Sequence, residues 1–214
     1  YLETQLVAAK GDNLALAAVS AVETLDRLLA ERDGDVQMMA QVVAFRNQDP
    51  IAVTRYFKQL HAAYPVYLWL GMTDRHGRIL AATEAATVGL DRSTHPWFQA
   101  VQAHQTLSVA EAAPSQEVAG TLAITISAPV TNTAGVFSGA VVAQVGLPVL
   151  EEIIAKEALM LQTQMGSTQR LEWQIISRTG EVLVDSRLRQ EGRTNLQQLG
   201  LSSAMLAATG PPGY

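Results

Sequence analysis

Two stretches of this chain repeat one pattern at an offset of 103 residues. Residues 73–83 read TDRHGRILAAT and residues 176–186 read ISRTGEVLVDS, with Gly77 aligned to Gly180. Each stretch predicts an apolar strand, a polar turn closed by glycine, and a return strand. We therefore expect one structural module used twice. The second copy stops before the pattern of the first is complete, so we expect an incomplete second module.

Composition excludes several classes of protein. Hydrophobic residues make up 48% of the 214 residues and charged residues 16%, which favours a packed core over global disorder. A net charge of −5 without a basic cluster argues against a nucleic-acid partner. The absence of cysteine excludes disulfides and thiol catalysis. No run of about 18 apolar residues is present to span a membrane.

Hydrophobic periodicity predicts an α+β fold. The pattern places helices at residues 2–32, 51–63, 96–101 and 147–165, and antiparallel strands at 66–73, 78–83, 108–109, 121–130, 136–145, 171–176 and 181–185. Asp49 and Ser93 or Thr94 are predicted to cap helices, and Gly34 is predicted to end the first helix. The predicted domains are a stalk or dimerisation helix (1–34), a first module (35–146), a connecting helix (147–166) and the second module (167–214).

The first helix allows two interpretations. Leu14, Ala18, Val22, Leu25 and Leu29 form a stripe along one face, which suits packing against the core. About thirty helical residues extend roughly 45 Å, longer than a domain of this size needs. The same stripe could therefore meet a second copy of the chain in a homodimer.

Several segments, in this order, resemble a double Cache sensor domain, a PAS-like family. Residues 72–81 resemble its first hairpin, and 89–98 (GLDRSTHPWF) resemble its G-x-D-x-S-x-R-x-W-F/Y segment. Residues 126–130 with 135–147 resemble its closing hairpin, and 210–214 its G-x-x-G-Y entry. The resemblance covers nearly the whole chain and implies a long N-terminal helix followed by two PAS-like modules.

The resemblance also implies a function. Domains of this family are flanked by transmembrane helices, lie on the periplasmic side of the bacterial inner membrane, and precede chemoreceptor, histidine kinase or nucleotide-cyclase outputs. Their membrane-distal module binds small molecules such as amino acids, amines, carboxylates or purines. We accordingly expect a sensor domain without a cofactor, anchored by segments outside this chain.

His95, Trp97 and Phe98 are the leading ligand-site candidates, because the family places ligand contacts in this segment. Tryptophan offers an apolar wall and one N–H donor, and histidine can donate or accept near neutral pH. The alternative is that both aromatic residues belong to an ordinary core. In the second copy the same register places Gln198 and Gly200 at the His95 and Trp97 positions, so we expect the ligand in the first module.

Strand residues supply further candidates. Tyr67 and Trp69 alternate along one strand, so they are predicted to share a face and could form the floor of a pocket. The alternative is that they pack against the long helix. Thr125 and Ser127 would present hydroxyl groups from a central strand, although hydroxyl residues are common in strands.

The candidate site departs from the amino-acid-binding pattern of the family. His95 stands where those members have an arginine for the ligand carboxylate, Gln144 where they have an aspartate for the ammonium, and Leu90 where a tyrosine is common. A zwitterion would leave its charges poorly paired. We therefore expect a ligand other than a typical α-amino acid: a neutral or weakly charged molecule, a carboxylate held by His95, or none.

No catalytic or metal-binding pattern accompanies these candidates. The four histidines lack metal-ligand spacing, and no nucleophile motif or phosphate-binding glycine loop is present. Two functions remain open at this point. One is small-molecule sensing by a bacterial receptor, and the other is a non-binding dimerisation or spacer module of such a receptor.

Overall fold

The computed structural model describes residues 2–164, 171–177 and 179–186, and within the first helix it describes the side chains of residues 15, 16 and 18 onward. The chain divides into two units. One is Leu29–Leu147, and the other joins the helix residues before Leu29 to the residues after Leu147. The predicted motif at 210–214 and the second-copy positions Gln198 and Gly200 lie outside the described residues.

The unit Leu29–Leu147 is built on a five-stranded antiparallel sheet of order β2-β1-β5-β4-β3. The strands are β1 Tyr67–Thr73, β2 Ile79–Ala82, β3 Ser108–Pro114, β4 Leu122–Thr131 and β5 Phe137–Gly146. Helix α1 runs from Leu2 to Gln41, and its residues from Leu29 onward belong to this unit. The other helices are α2 Val43–Arg46, α3 Pro50–Ala63 and α4 Pro96–His104, with a 3-10 helix at Ala85–Thr87. This architecture confirms the predicted α+β fold, with a longer β3 than expected and a short α2 that the pattern did not indicate.

The sheet is covered on both faces. The helix α3 packs against β1 and β2, whereas α4 packs against β3, β4 and β5. In β1, six of the seven residues are buried, and in β5 eight of ten are buried. The sequences of both strands are nearly continuous apolar runs, as expected for a sheet that is covered on both faces.

Helix α1 does not end at Gly34, contrary to the prediction. It continues to Gln41, and apart from its own turn of helix no atom lies within 4 Å of a Cβ built on Gly34. The last turns bury Val36, Met39 and Ala40 almost completely. Glycine costs about 1 kcal/mol inside a helix, which the burial of two large apolar side chains exceeds. Tertiary packing therefore overrides the local stop signal.

Two other helix starts differ in how they are capped. Asp49 caps α3 as predicted, its Oδ1 accepting hydrogen bonds from the amides of Ile51 at 3.1 Å and Ala52 at 3.0 Å. The predicted caps Ser93 and Thr94 are wrong, because His95 occupies the N-cap position of α4 and makes no capping bond with its side chain. The Asp91 carboxylate accepts from the Ser93 amide instead, at 2.8 Å, and shapes the turn before the helix.

A β-bulge separates Tyr67 from Trp69, so the prediction that they share a face is also wrong. Tyr67 pairs with Val145 and Trp69 with Gln144, which leaves Leu68 as the extra residue. Because adjacent residues of β5 point to opposite faces, the two aromatic side chains do so as well. The Tyr67 hydroxyl donates to the Asp35 carboxylate of α1 at 2.6 Å, and Trp69 lies on the other face.

The repeat at offset 103 is confirmed as two matching hairpins. In the first, Met72 pairs with Ala81, and in the second (β6 Gln174–Ile176 and β7 Val182–Asp185) Ile175 pairs with Val184. A bulge follows the pair directly in both hairpins. Equivalent hydrogen bonds include Asp74 N to Arg78 O at 2.9 Å and Ser177 N to Glu181 O at 2.8 Å, Thr83 N to Leu70 O at 2.9 Å and Ser186 N to Trp173 O at 3.0 Å. Both turns close on a glycine in the left-handed region, Gly77 and Gly180.

The second unit also contains the predicted connecting helix, α5 Leu147–Gln164, from Pro148 onward. Within this unit, an open cavity of about 210 Å³ is lined by residues of α5 together with Leu171, Trp173 and Ser186. Across the described part of the chain, every helix is too short or too polar to cross a membrane.

The continuous α1 predicts that Gly34→Ala stabilises the protein. Alanine is favoured over glycine inside a helix by about 1 kcal/mol, and the Gly34 position has space for a methyl group. The free energy of unfolding from a denaturant titration should rise by a few tenths to about 1 kcal/mol. If Gly34 instead ended the helix in a left-handed conformation, the same substitution would destabilise the protein by a similar amount.

Candidate functional site

An aromatic cluster covers the sheet face that carries Trp69. Trp97 and Phe98, in the first turn of α4, pack with Trp69 and Val142 in one buried apolar cluster. The rings of Trp97 and Phe98 meet edge to face with centroids 5.9 Å apart. This arrangement suits quadrupolar rings and gives the face a rigid apolar wall.

Trp69 lies flat along its own strand. A Cβ built on Gly71 would overlap the far edge of the indole ring, at Cη2. Glycine at this position therefore leaves room for the ring two residues earlier. The indole nitrogen of Trp69 donates to the hydroxyl of Thr87 at 3.3 Å, and that hydroxyl donates to the Glu84 carbonyl at 2.7 Å. The 3-10 helix thus fixes the orientation of Trp69.

His95 stands at the edge of this wall. Its ring centroid is 6.0 Å from that of Trp97, in an edge arrangement. Burial lowers the pKa of His95, and the neighbouring Arg92 guanidinium lowers it further, with Glu117 opposing. The imidazole is therefore held neutral near pH 7, when it can donate from one nitrogen and accept at the other.

A row of paired residues crosses the sheet beneath the aromatic wall. Trp69 pairs with Gln144, and Gln144 pairs with Thr125, so the three side chains share one face. Among the described residues, none forms a hydrogen bond with the Thr125 hydroxyl. Ser127, two residues along β4, is directed at the carbonyls of Trp97 and Ser108, each at 3.4 Å. Ser127 therefore fastens α4 to the sheet, while Thr125 keeps a hydroxyl open.

A buried chain of polar side chains runs beside this row. The Nε of Arg92 donates to Glu117 Oε1 at 2.9 Å, and the side chains of this pair are 11% and 2% exposed. The amide nitrogen of Gln144 donates to Glu117 Oε2 at 2.8 Å. The hydroxyl of Ser115 donates to Gln144 Oε1 at 2.7 Å. Because the carboxylate of Glu117 only accepts, it also fixes which way the Gln144 amide is turned.

The polar chain holds the loop between β3 and β4 on the sheet. Ser115 Oγ accepts from the amides of Glu117 at 3.2 Å and Val118 at 2.8 Å, which closes a local turn. Val118 packs against the aromatic cluster. The loop is therefore attached by hydrogen bonds at Gln144 and by apolar contact at the wall.

Seven of the eight predicted site residues thus lie on the α4 side of the sheet: His95, Trp97, Phe98, Trp69, Thr125, Ser127 and Gln144. Tyr67 faces α1 instead because of the bulge at Leu68. Sequence reasoning missed Arg92, Glu117, Ser115 and Thr87. The turn at Ser115 could have been predicted from its sequence, because a serine stands two residues before a glutamate in a polar loop. The pairing of Glu117 with Arg92 joins residues far apart in the chain, so no local pattern indicates it.

Within the described residues, no three histidine, aspartate or glutamate side chains are grouped as metal ligands. No family model matches the chain, and no curated protein matches it.

Solved structures of similar fold do match. The extracellular ligand binding receptor from Desulfohalobium retbaense DSM5692 superposes with a TM-score of 0.64 at 16% identity, over 88% of this chain and 33% of that one. The sensory domain of the Campylobacter jejuni chemoreceptor Tlp3 (CcmL), with isoleucine bound, gives 0.67 at 12% identity over 92% of this chain and 81% of that one. An extracellular domain assigned to a histidine kinase, vpHK1S-Z8, gives 0.67 at 10% identity over 84% and 71%.

This chain therefore spans a third of the length of the Desulfohalobium receptor and most of the length of the other two domains. At these identities the likeness establishes the fold. The chain accordingly shares its fold with a chemoreceptor sensory domain and a histidine kinase extracellular domain, which is the fold that the double Cache resemblance predicted.

Proposed function

We propose that this chain is the extracytoplasmic small-molecule-sensing domain of a bacterial transmembrane receptor, on the periplasmic side of the inner membrane. The ligand binds in the unit Leu29–Leu147, between the sheet and the cover formed by α4 and the β3–β4 loop. The observation that supports this best is the convergence, on one sheet face, of an aromatic wall and the open hydroxyl of Thr125. The receptor's output domain is of the chemoreceptor, histidine kinase or cyclase type.

The ligand in this proposal is not a typical α-amino acid. Such a ligand carries a carboxylate and an ammonium, and each needs a fixed partner of opposite charge in a dry site. The carboxylate of Glu117 is already bonded to Arg92 and Gln144. His95, where amino-acid binders of the resembled family have arginine, has a lowered pKa and supplies no positive charge at pH 7.

The bulge links the ligand side of the sheet to the long helix α1. Trp69, on the ligand side, is two residues from Tyr67, whose hydroxyl bonds Asp35 of α1 at 2.6 Å. Arg32 Nε lies 2.9 Å from Asp35 Oδ2, and its guanidinium lies over the Tyr67 ring at 5.6 Å. A ligand that favours one position of Trp69 can therefore favour one position of α1.

A second role, dimerisation through α1, is favoured by exposed apolar side chains. Leu16 is 74% exposed, Val22 40% and Val19 38%, at a spacing of three residues along one helix. A helix face of this kind gains stability by packing against another helix. We propose that α1 pairs with α1 of a second copy. If no ligand binds, this pairing is the function that remains, as a spacer in the receptor.

A thermal-shift screen of small metabolites tests the sensing proposal. A ligand present at 100 times its Kd should stabilise the folded state by about 2.7 kcal/mol and raise Tm. Thr125→Val removes the open hydroxyl at nearly constant volume and should weaken binding on the order of tenfold, measured by calorimetry. The matched control is Thr131→Val, about 20 Å farther along β4, which should bind normally. A silent screen across all compound classes would leave only the spacer role.

Tyr67→Phe tests the route to the helix. Loss of the hydrogen bond to a carboxylate should lower the free energy of unfolding by roughly 1–3 kcal/mol and reduce receptor output, while ligand affinity stays unchanged. Tyr64→Phe is the control, because its ring also lies near Arg32, at 5.8 Å, while its hydroxyl bonds no described residue. Equal output from both variants would contradict the route.

Leu16→Glu tests the dimer. A buried charge at a helix–helix contact disfavours association, so sedimentation velocity should show a shift from dimer to monomer. Gln37→Glu adds the same charge on an exposed position of α1 and should leave the dimer intact. A monomeric parent protein, at any concentration, is incompatible with this interface.

A further inference from the structure

We propose that the ion pair of Arg92 and Glu117 determines which ligands the site binds. Because the two charges neutralise each other, the site selects uncharged polar molecules with an apolar body. This inference rests on the sensing function proposed above. It assigns a role in ligand specificity to two residues that are not ligand contacts in the family motif that residues 89–98 resemble.

The pair lies inside the site rather than on the surface. The side chain of Glu117 is 2% exposed and that of Arg92 is 11% exposed. Glu117 also bonds Gln144, whose strand neighbours are Trp69 and Thr125. Charges with so little access to water interact far more strongly than surface charges do. The pair therefore controls the electrostatic potential where a ligand would contact the sheet.

The two charges of the pair already neutralise each other. Glu117 Oε1 accepts from Arg92 and Oε2 from the Gln144 amide, whose own oxygen accepts from Ser115. An ammonium ligand beside Glu117 would therefore also meet the positive charge of Arg92, and a carboxylate ligand beside Arg92 would also meet the negative charge of Glu117. Either ion would lose its hydration without gaining an unpaired charge of opposite sign, which is unfavourable in a site with little water.

The other titratable groups near the pair do not alter this balance. His95 is neutral near pH 7, as its lowered pKa implies. Asp91, at the surface, bonds the amide of Ser93 and lies beside Arg78 and Arg92. The groups facing the ligand therefore sum to a charge near zero. What they offer is the open hydroxyl of Thr125, the imidazole, and the indole wall.

Removing one charge at a time should therefore change the ligand class. Glu117→Gln keeps the shape of the side chain and leaves the Arg92 guanidinium without its carboxylate, so the variant should bind anions. Arg92→Gln leaves Glu117 without its cation, so that variant should bind cations. The double variant removes both charges and should again prefer neutral molecules.

The probes are three molecules of matched size: propionate, propylammonium and propionamide, each compared with sodium chloride at equal ionic strength. We expect propionate to raise Tm of Glu117→Gln only, and propylammonium to raise Tm of Arg92→Gln only. Neither ion should raise Tm of the parent or the double variant. The matched control is Glu152→Gln, which removes one charge of the exposed pair with Lys156 and should respond to no ion.

Chemical rescue covers the case in which Glu117→Gln does not fold. Glu117→Ala opens space for a small carboxylate beside Arg92, so propionate in the refolding buffer should restore folded Glu117→Ala, whereas propionamide and chloride should not. The proposal is overturned if neither single variant gains its predicted ion, if rescue is no better with propionate than with propionamide, or if both ions stabilise the parent as strongly as the variants.

These outcomes are separate from the test of sensing. If the parent binds a charged metabolite tightly, sensing stands and the ion-pair selector is wrong. If the two single variants switch as predicted while the metabolite screen of the parent is silent, the selector stands and the sensing proposal fails.

Discussion

The organisation of this protein depends on a single extra residue in the central sheet. Leu68 forms a bulge between two aromatic residues, so that Tyr67 faces the long helix and Trp69 faces α4. In a regular strand, Tyr67 and Trp69 would lie on the same side of the sheet. Either α1 would then lack its contact with Tyr67, or the α4 side would lack Trp69. Because of the bulge, one strand contributes to both faces of the sheet, and the candidate site lies within two residues of the contact with α1.

Hydrogen bonds between side chains of the protein order the α4 side of the sheet. Trp69 is held by Thr87, the loop by Ser115, and Gln144 by Glu117. Such a network limits side-chain freedom, which would lower the entropic cost of binding a ligand at this face. Gln144 stands where the resembled family has an aspartate, and in this protein it bonds the carboxylate of Glu117 from the β3–β4 loop.

The sequence predicted the parts of the fold that depend on near neighbours. The two hairpins, their glycine turns and the Asp49 cap follow from residue types within a few positions, and all of these are confirmed. Gly34 misled, because the burial of Val36 and Met39 against the fold outweighs a local propensity. The bulge at Leu68 could not be predicted, because every residue of β1 is suited to burial and the sequence does not indicate which face each one occupies. The Arg92–Glu117 pair required knowledge of which loops meet.

Strand β1 pairs on one edge with its neighbour in sequence, β2, and on the other with β5, which lies far along the chain. The first pairing closes a short loop, while the second requires a large part of the chain to fold back and is slow to form. Since Trp69 meets Gln144 only across that second edge, the candidate site is incomplete until β5 has paired with β1. The chain topology therefore makes the assembly of this site a late event in folding, whereas the β1–β2 hairpin can form early.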